Sequence, residues 1–374
     1  MLTSRSADER AAVDRRDRIA GVLLGAVVGD ALGLPREGLS PQRAQRIFGE
    51  DVRHALVLGR GMVSDDTEQT CLVAQALLVA PDDPEKFARS LAWKLRLWML
   101  GLPAGVGLGT ARAIAKLWAG FPPDRSGGRS AGNAPAMRAA LLGVCRGDDP
   151  RVLREWVRAS TRVTHTDLRA ERAAFLVAFA AGYAARTKPG DITASVFIPM
   201  ALDALGDVDD ELRAIAAQMT EHLARDVSTR EFAATLGLAR GVTGYAYHTV
   251  PVALYGWLSH PGDFRAVVTD VIRLGGDADT TGAIAGGICG AGVGASGIPA
   301  EWIDGIWEWP RSVAWMNGLA DRVARRFPDD GTSDVSVGEM PLAWPAVLPR
   351  NLLFLGIVLA HGFRRLLPPY ARAT

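Results

Sequence analysis

Cysteine is scarce in this sequence. Cys71, Cys145 and Cys289 are the only three in 374 residues, and they are far apart and without CxxC spacing. An odd number of distant cysteines gives no basis for a disulfide framework or a cysteine zinc site, and it is typical of a reducing compartment. We therefore expect a cytoplasmic protein. The low lysine and high arginine, alanine and glycine content resembles that of GC-rich bacterial genomes.

An excess of charge of either sign is also absent. The chain has 42 basic and 41 acidic residues, for a formal net charge of +1. Nucleic-acid-binding proteins usually carry a basic patch or a strongly basic balance. We therefore expect no nucleic-acid partner.

Long hydrophobic runs are missing at both ends of the sequence. The first eighteen residues alternate acids and bases and contain no apolar region of the kind found in signal peptides. The apolar run at 352–360 is shorter than the roughly twenty residues that a bilayer span needs. We expect no transmembrane segment, and we expect this tail to form a helix docked on the body or on a partner, with a membrane-surface helix as the alternative.

Period-two alternation and βαβ spacing are not found, whereas helical spacing occurs almost everywhere. Ile19, Val22, Leu23, Ala26 and Val27 follow one face of a helix, for example. The pattern predicts an all-α fold with many helices packed around a Gly/Ala-rich centre, and with a C-terminal helical appendage. The expected divisions are a charged arm at 1–17, a catalytic domain at 18–320, a linker at 321–342 and an apolar helical tail at 343–374.

One acidic cluster lies at the predicted start of a helix rich in small residues. Asp277 and Asp279 are one residue apart, Thr280 and Thr281 follow, and Gly275 and Gly276 precede. Carboxylate and hydroxyl oxygens suit a hard divalent cation such as Mg²⁺ or Mn²⁺. The alternative is that these residues only cap the helix.

A second cluster, Ser64-Asp65-Asp66-Thr67-Glu68, also lies where a helix is expected to begin. It could be a capping box, with Ser64 or Asp65 as the N-cap and Thr67 or Glu68 as its partner. Two adjacent ionised carboxylates repel each other, however, unless a cation neutralises them.

Together the two clusters offer six oxygen-bearing side chains. They are Ser64, Asp65, Asp66, Asp277, Asp279 and Thr280. This set is too large for a single Mg²⁺ that keeps its waters, but it suits two ions about 3.5–4 Å apart with an activated water between them. The residues alone therefore predict a metal-assisted hydrolase of a sugar or phosphate bond.

Six motifs in order resemble those of the ADP-ribosylglycohydrolases, over roughly residues 17 to 300. They are Gly29-Asp30 with Glu37, Ser64 to Thr67, Gly132-Asn133 with Met137-Arg138, Thr164-His165 with Arg169-Ala170, Gly244-Tyr245 with His248-Thr249, and Gly275 to Thr280. This resemblance implies an all-α enzyme built as a single large orthogonal bundle of helices around a central cleft, with a binuclear site for two Mg²⁺ or Mn²⁺ ions. It also implies that the same six side chains are the metal ligands.

The resemblance further assigns catalytic and substrate-binding roles. Asp65, Asp66, Asp279 and Glu37 would be catalytic, and Glu37 would sit on a mobile loop that gates the site. Asn133, His165 and Gly276 would line the ADP-ribose cleft, and Gly105, Gly107 and Gly109 would approach the phosphates. For His165 the alternative is a capping or core residue; for Tyr245, Tyr247 and His248 we favour core positions.

Two positions depart from the family pattern. Ser64 replaces a threonine that is common there, which keeps the hydroxyl. Ala134-Pro135 replaces the glycine that commonly follows Gly-Asn, which stiffens that loop.

The expected function is hydrolysis of the N- or O-glycosidic bond between ADP-ribose and an arginine or serine side chain of a modified protein. The alternatives are a hydrolase of free ADP-ribose derivatives or nucleotides, such as O-acetyl-ADP-ribose, and a non-catalytic relative that binds ADP-ribose. The partner would be an ADP-ribosylated protein or a small ADP-ribose conjugate. The oligomeric state is open, with a monomer slightly favoured.

Overall fold

The computed structural model describes residues 7–329, 333–334, 336–341 and 344–365. Nineteen α-helices occur within these ranges, with no strand longer than an isolated bridge, so the all-α prediction is confirmed. The helices are α1 Ala7–Gly33, α2 Pro41–Phe48, α3 Asp65–Val79, α4 Pro84–Leu100, α5 Leu108–Trp118, α6 Pro123–Ser126, α7 Ala134–Met137, α8 Ala140–Arg146, α9 Pro150–Arg162, α10 Leu168–Arg186, α11 Ala194–Leu205, α12 Asp210–Ala224, α13 Thr229–Thr235, α14 Ala246–Ser259, α15 Phe264–Ile272, α16 Ala278–Val293, α17 Ala300–Asp304, α18 Val313–Arg326 and α19 Trp344–Arg364.

The helices α1 and α16 form the centre of the fold, and glycines allow their backbones to touch. A methyl group added at Gly25 would lie 2.2 Å from the carbonyl oxygen of Gly286, and one at Gly29 would lie 2.0 Å from that of Gly282. Only glycine fits at such a crossing. The close packing explains the small residues of α16 and brings the end of α1 against the acidic start of α16.

A large apolar core surrounds this pair. Its largest fully buried side chains include Trp98, Trp257 and Tyr247. Arg138 is also fully buried, and it donates hydrogen bonds to Gln69 and Thr164 at 2.6 and 2.8 Å. A polar network therefore joins α3 to the loop that carries His165.

Several helix boundaries differ from those expected. Residues 7–17 belong to α1, and α18 continues to Arg326 across the expected start of the linker. Helix α14 begins at Ala246 and contains Pro251 in its second turn. The division into arm, domain, linker and tail remains a prediction, and residues 366–374 of the tail lie outside the described residues.

The expectation that the tail is too short to cross a membrane is wrong. Helix α19 has 21 residues, because Arg350 and Asn351 continue the helix with their polar atoms hydrogen-bonded to the body. Two segments are long and apolar enough to cross a bilayer by length and composition. The segment Arg15–Arg36 is 94% buried in the core, whereas Pro345–Arg364 is only 22% buried.

Candidate metal centre

The loop before α3 is held by a carboxylate from α1. Asp30 is fully buried and accepts hydrogen bonds from the backbone amide of Ser64 at 2.9 Å and from the hydroxyl of Thr67 at 2.6 Å. The Ser64 hydroxyl accepts from the amide of Asp66 at 3.3 Å, which makes Ser64 the N-cap of α3. The expected capping box does not form, because Thr67 is bonded to Asp30.

The two acidic clusters meet at Asp66. The hydroxyls of Ser64 and Thr280 both donate to Asp66 Oδ2, at 3.0 and 3.2 Å. Carboxylate oxygens of Asp30, Asp66 and Asp279 all lie within 4.8 Å of one another. The folded chain thus brings together side chains more than 200 residues apart in sequence.

The donor set fits a divalent cation. Asp66 Oδ1 and Asp279 Oδ1 are buried and have no hydrogen-bond partner. A buried carboxylate oxygen without a donor is unfavourable, and a metal ion would satisfy it. Three buried acids in mutual reach, two with an unsatisfied oxygen, are therefore suited to bind a metal.

The electrostatics of the site agree with this interpretation. Burial, and then the negative charge of neighbouring acids, raise the pKa of Asp65, Asp66 and Asp279 well above its usual range. Burial raises the pKa of Asp30 to about 6, against the hydrogen bonds that it accepts. Without added positive charge, burial and mutual repulsion favour the protonated form of these groups.

Asp277 is oriented by the loop that carries Asn133. The Asn133 side-chain amide donates to Asp277 Oδ2 at 2.6 Å and to the Thr249 hydroxyl at 3.0 Å. Gly276 has a positive φ of 71°, and a methyl group there would lie 2.0 Å from the carbonyl oxygen of Val242. Only glycine allows the chain to turn into α16 at this point.

Every site residue expected from the sequence lines one cleft of about 640 Å³. A volume of this size is typical of small-molecule and cofactor sites. The lining includes Glu37, Ser64, Asp65, Asp66, Gly105, Gly107, Gly109, Asn133, His165, Gly276, Asp277, Asp279 and Thr280.

His165 forms part of the cleft wall between two glycines. Its side chain is almost fully buried, Nδ1 is 2.9 Å from the Thr164 hydroxyl, and a methyl group at Gly109 or Gly132 would lie 3.1 Å from Nε2. Burial and the nearby positive charge of Arg138 lower the pKa of His165 to about 4. The ring is therefore neutral near pH 7.

Of the three aromatic residues expected in the core, only one is fully buried. Tyr247 is buried, with its hydroxyl 3.0 Å from Asp209. Tyr245 and His248 are half-buried, with the Tyr245 hydroxyl donating to Glu211 and His248 Nδ1 2.8 Å from the Thr243 hydroxyl.

The structure places further residues at the site that the sequence did not indicate. Asp30 belongs to one of the six motifs but is not among the six expected metal ligands, and its carboxylate lies beside those of Asp66 and Asp279. Phe354 and Val358 of α19 line the cleft. The sequence around Phe354 and Val358 does not identify them as cleft residues, since an apolar residue in a helix gives no indication of what it faces.

A buried ion pair links α19 to the peptide before Ser64. Arg350 donates to both carboxylate oxygens of Glu308, at 2.8 and 2.6 Å, and to the carbonyl oxygen of Val63 at 2.7 Å. Glu308 in turn accepts from the amide of Val63 at 3.3 Å. The Val63 peptide is thus held at both its N–H and C=O ends by residues more than 240 positions away.

Comparisons with known proteins agree with this geometry. The model of the ADP-ribosylglycohydrolase family matches residues 11–332. An uncharacterized protein of Archaeoglobus fulgidus is 31% identical over 78% of this chain and 92% of its own length. The ADP-ribosylhydrolase ARH3 of Xenopus tropicalis is 27% identical over 83% of this chain and 97% of its own.

Two further proteins are similar. The ADP-ribosyl-[dinitrogen reductase] glycohydrolase of Rhodospirillum rubrum is 26% identical over 77% of this chain and 89% of its own length. A solved structure described as an ADP-ribosylglycohydrolase-related protein complex is superimposed with a TM-score of 0.63 and 28% identity, over 84% of this chain and 99% of the other. Helix α19 lies beyond the end of the family match.

Proposed function

The chain belongs to the ADP-ribosylglycohydrolase family, and from that premise we propose that it hydrolyses the glycosidic bond between ADP-ribose and an arginine or serine side chain of a modified protein. The observation that carries the proposal is the meeting of the two acidic clusters at Asp66, with unsatisfied carboxylate oxygens on Asp66 and Asp279, in one cleft. Two of the relatives are named as an ADP-ribosylhydrolase and an ADP-ribosyl-[dinitrogen reductase] glycohydrolase, which supports hydrolysis of an ADP-ribosyl bond.

In this proposal two Mg²⁺ or Mn²⁺ ions would be held by two groups of ligands. One group is Ser64, Asp65 and Asp66, and the other is Asp277, Asp279 and Thr280. Such ions would supply positive charge against the carboxylates and make a bound water more acidic. Asp30 contributes by holding the loop of Ser64 in place through hydrogen bonds.

The protein's own groups then bind the substrate and accept a proton. A carboxylate of Asp66, Asp279 or Glu37 takes the proton from the attacking water. The pKa of Glu37 is raised by burial and by the charge of Asp277. Glu37 is fixed beside the metal loop by the hydrogen bond from the Gly38 amide to the Gly276 carbonyl at 2.7 Å.

The remaining lining residues orient the substrate. Asn133 already donates to Asp277, so it couples the sugar-binding wall to the metal ligands. Neutral His165 can accept or donate a hydrogen bond without adding charge. The glycines at 105, 107 and 109 leave the backbone open to the phosphates, and a methyl group at Gly107 would meet nothing within 4 Å.

Two further features belong to the proposal. We place the enzyme in the cytoplasm, since all three cysteines are free and buried. We propose that it acts as a monomer.

A panel of substrates tests the proposal. Purified protein would be incubated with ADP-ribosyl-arginine peptide, ADP-ribosyl-serine peptide and O-acetyl-ADP-ribose, each with Mg²⁺ or with EDTA. Mg²⁺-dependent release of ADP-ribose from a peptide supports the proposal. Release from O-acetyl-ADP-ribose alone would favour the free-derivative hydrolase, and release from none would favour a non-catalytic binder.

A further inference from the structure

Helix α19 presents a continuous apolar stripe to the outside of the protein. The stripe consists of Leu348, Leu352, Leu355, Leu359 and Phe363, at the three- and four-residue spacing that places side chains on one helix face. Each is between 39% and 67% exposed. Exposed leucines scattered singly are ordinary, but an aligned row of this kind marks an interaction surface.

The outer face of α19 is apolar, unlike that of most helices on a protein surface. The inner face combines the buried apolar side chains of Val347 and Phe354 with polar contacts. Arg350 binds Glu308, Asn351 donates to the Gly101 carbonyl at 2.7 Å, and His361 Nε2 is 3.2 Å from the Pro35 carbonyl. Surface helices normally turn their apolar face to the core and their polar face to water. The outer face of α19 is therefore suited to a non-aqueous surrounding.

The same inward contacts argue against α19 crossing a bilayer. Arg350 is the sixth of the twenty residues of the segment Pro345–Arg364, with its side chain only 3% exposed and paired to Glu308 at 2.6 Å. Withdrawing the helix would leave Glu308 and Glu68 as buried charges with fewer partners and would carry an arginine into hydrocarbon. The helix can instead lie along the surface of a membrane while it stays attached to the body.

Charge indicates what kind of surface the stripe would meet. After Glu339 the sequence contains no acidic residue. Arg350 is buried against Glu308, and Arg365 donates to the backbone carbonyls of Glu37 and Pro35. Arg364 is exposed at the end of the stripe, one position after Phe363. A basic residue beside an apolar helix face favours anionic lipid.

A second copy of the chain fits the stripe less well. From Leu348 to Phe363 the stripe is about 22 Å long and about 10 Å wide, a footprint on the order of 200 Å². Stable protein interfaces bury about 800 Å² on each partner. A segment with arginines and no acids also offers no opposite charge to a copy of itself.

We propose that the outer face of α19 binds the surface of an anionic membrane, with Leu348, Leu352, Leu355, Leu359 and Phe363 in the interfacial region and Arg364 near the lipid headgroups. This surface is independent of the proposed hydrolysis. Val358 lines the cleft and Leu359 is part of the stripe, so the bound enzyme would have its cleft beside the membrane.

Co-sedimentation of the full-length protein with lipid vesicles tests this inference. Vesicles of phosphatidylcholine alone would be compared with vesicles that also contain phosphatidylserine, at low and high salt. We expect binding to the phosphatidylserine vesicles, and weaker binding at high salt because the electrostatic part is screened. Arg364→Glu should weaken binding to these vesicles specifically.

A double substitution in the stripe provides the decisive comparison. Leu355→Glu with Leu359→Glu should lower the partition coefficient by about a hundredfold or more, since each buried leucine contributes roughly a tenfold factor or more. The matched control is Val152→Glu with Val196→Glu on other helices. The stripe residues are 39% and 53% exposed and the control residues 39% and 55%, so the control should bind as the wild type does.

The outcomes separate the proposal from its rivals. Absence of sedimentation with either vesicle, or equal binding by the stripe variant, would overturn it. If light scattering showed a wild-type dimer and a monomeric stripe variant, and the wild type did not bind vesicles, the stripe would be assigned to contact with a second copy of the chain. The rate of hydrolysis measured without vesicles should be the same in the two double variants and the wild type. If the proposed hydrolysis is wrong, the wild type and both variants would all be inactive, whatever their binding to vesicles.

Discussion

Replacing Arg350 by methionine should destabilise the protein strongly, although Arg350 lies outside the family match. The Arg350 side chain is 3% exposed and donates two hydrogen bonds to Glu308 and one to the Val63 carbonyl. Removing one partner of a buried ion pair costs about 3–5 kcal/mol, because the other charge remains buried. The total free energy of unfolding of a domain is about 5–15 kcal/mol, so the loss would be a large fraction of it.

Equilibrium unfolding in urea, followed by tryptophan fluorescence, measures this loss. The control is Arg364→Met in the same helix, whose side chain is exposed and which should change the free energy of unfolding by less than about 0.5 kcal/mol. Burial raises the pKa of Glu308 even with Arg350 beside it. In the variant that pKa should be higher still, so the variant should recover part of its stability as the pH falls.

Coupling between the two partners gives the sharper test. The double variant Arg350→Met with Glu308→Gln should be more stable than the sum of the single losses predicts, since no buried carboxylate remains unpaired. Arg350→Met should also weaken Mg²⁺ binding, because the Val63 peptide next to Ser64 loses its donor. A loss below about 1 kcal/mol, as for surface ion pairs, together with unchanged Mg²⁺ binding, would refute the reasoning.

Three further predictions concern the fold and the site. Gly25→Ala should lower the free energy of unfolding by about 3 kcal/mol or prevent folding, because the added methyl would lie 2.2 Å from the Gly286 carbonyl oxygen. The control is Gly356→Ala, whose added methyl would have nothing within 4 Å. In the same urea assay it should raise the free energy of unfolding by up to about 1 kcal/mol, because alanine favours the helix more than glycine does. In EDTA, the free energy of unfolding should fall as the pH rises from about 4 to about 6. The pKa of Asp30 is about 6 in the folded protein against a usual value of 3.8, so the folded state binds more protons than the unfolded state in that window. A rise there would contradict the electrostatic account. His165→Gln should alter KM but leave the shape of the pH–rate profile between about pH 5.5 and 8 unchanged, because the pKa of His165 is about 4. If the variant lost the rising or falling part of the profile in that range, the histidine would titrate there.

The features that the sequence predicted are those with local signals. Ser64 and Asp277 begin helices, and the acids and hydroxyls beside them are recognisable within a few residues. Helix periodicity likewise identified most of the long helices. The glycines of α16 indicated close packing, although not that α1 is the partner.

The features that the sequence did not predict depend on distant parts of the chain. Asp30 lies in the last turns of an apolar helix, and its role follows from hydrogen bonds to Ser64 and Thr67 that only the folded chain makes. Arg350 is 287 residues from Val63. The apolar run at 352–360 follows Arg350 and Asn351, two residues of the kind that usually interrupt such a run, and their buried partners are invisible in the sequence.

Titration calorimetry with Mn²⁺ tests the central claim most directly, since it measures the number of ions and needs no substrate. We predict saturable binding of two ions per chain, the loss of at least one of them in Asp279→Asn, and unchanged binding in the control Asp82→Asn, whose side chain is 84% exposed. No saturable binding, or the same two ions in Asp279→Asn, would contradict the account of a shared metal centre between the two acidic clusters.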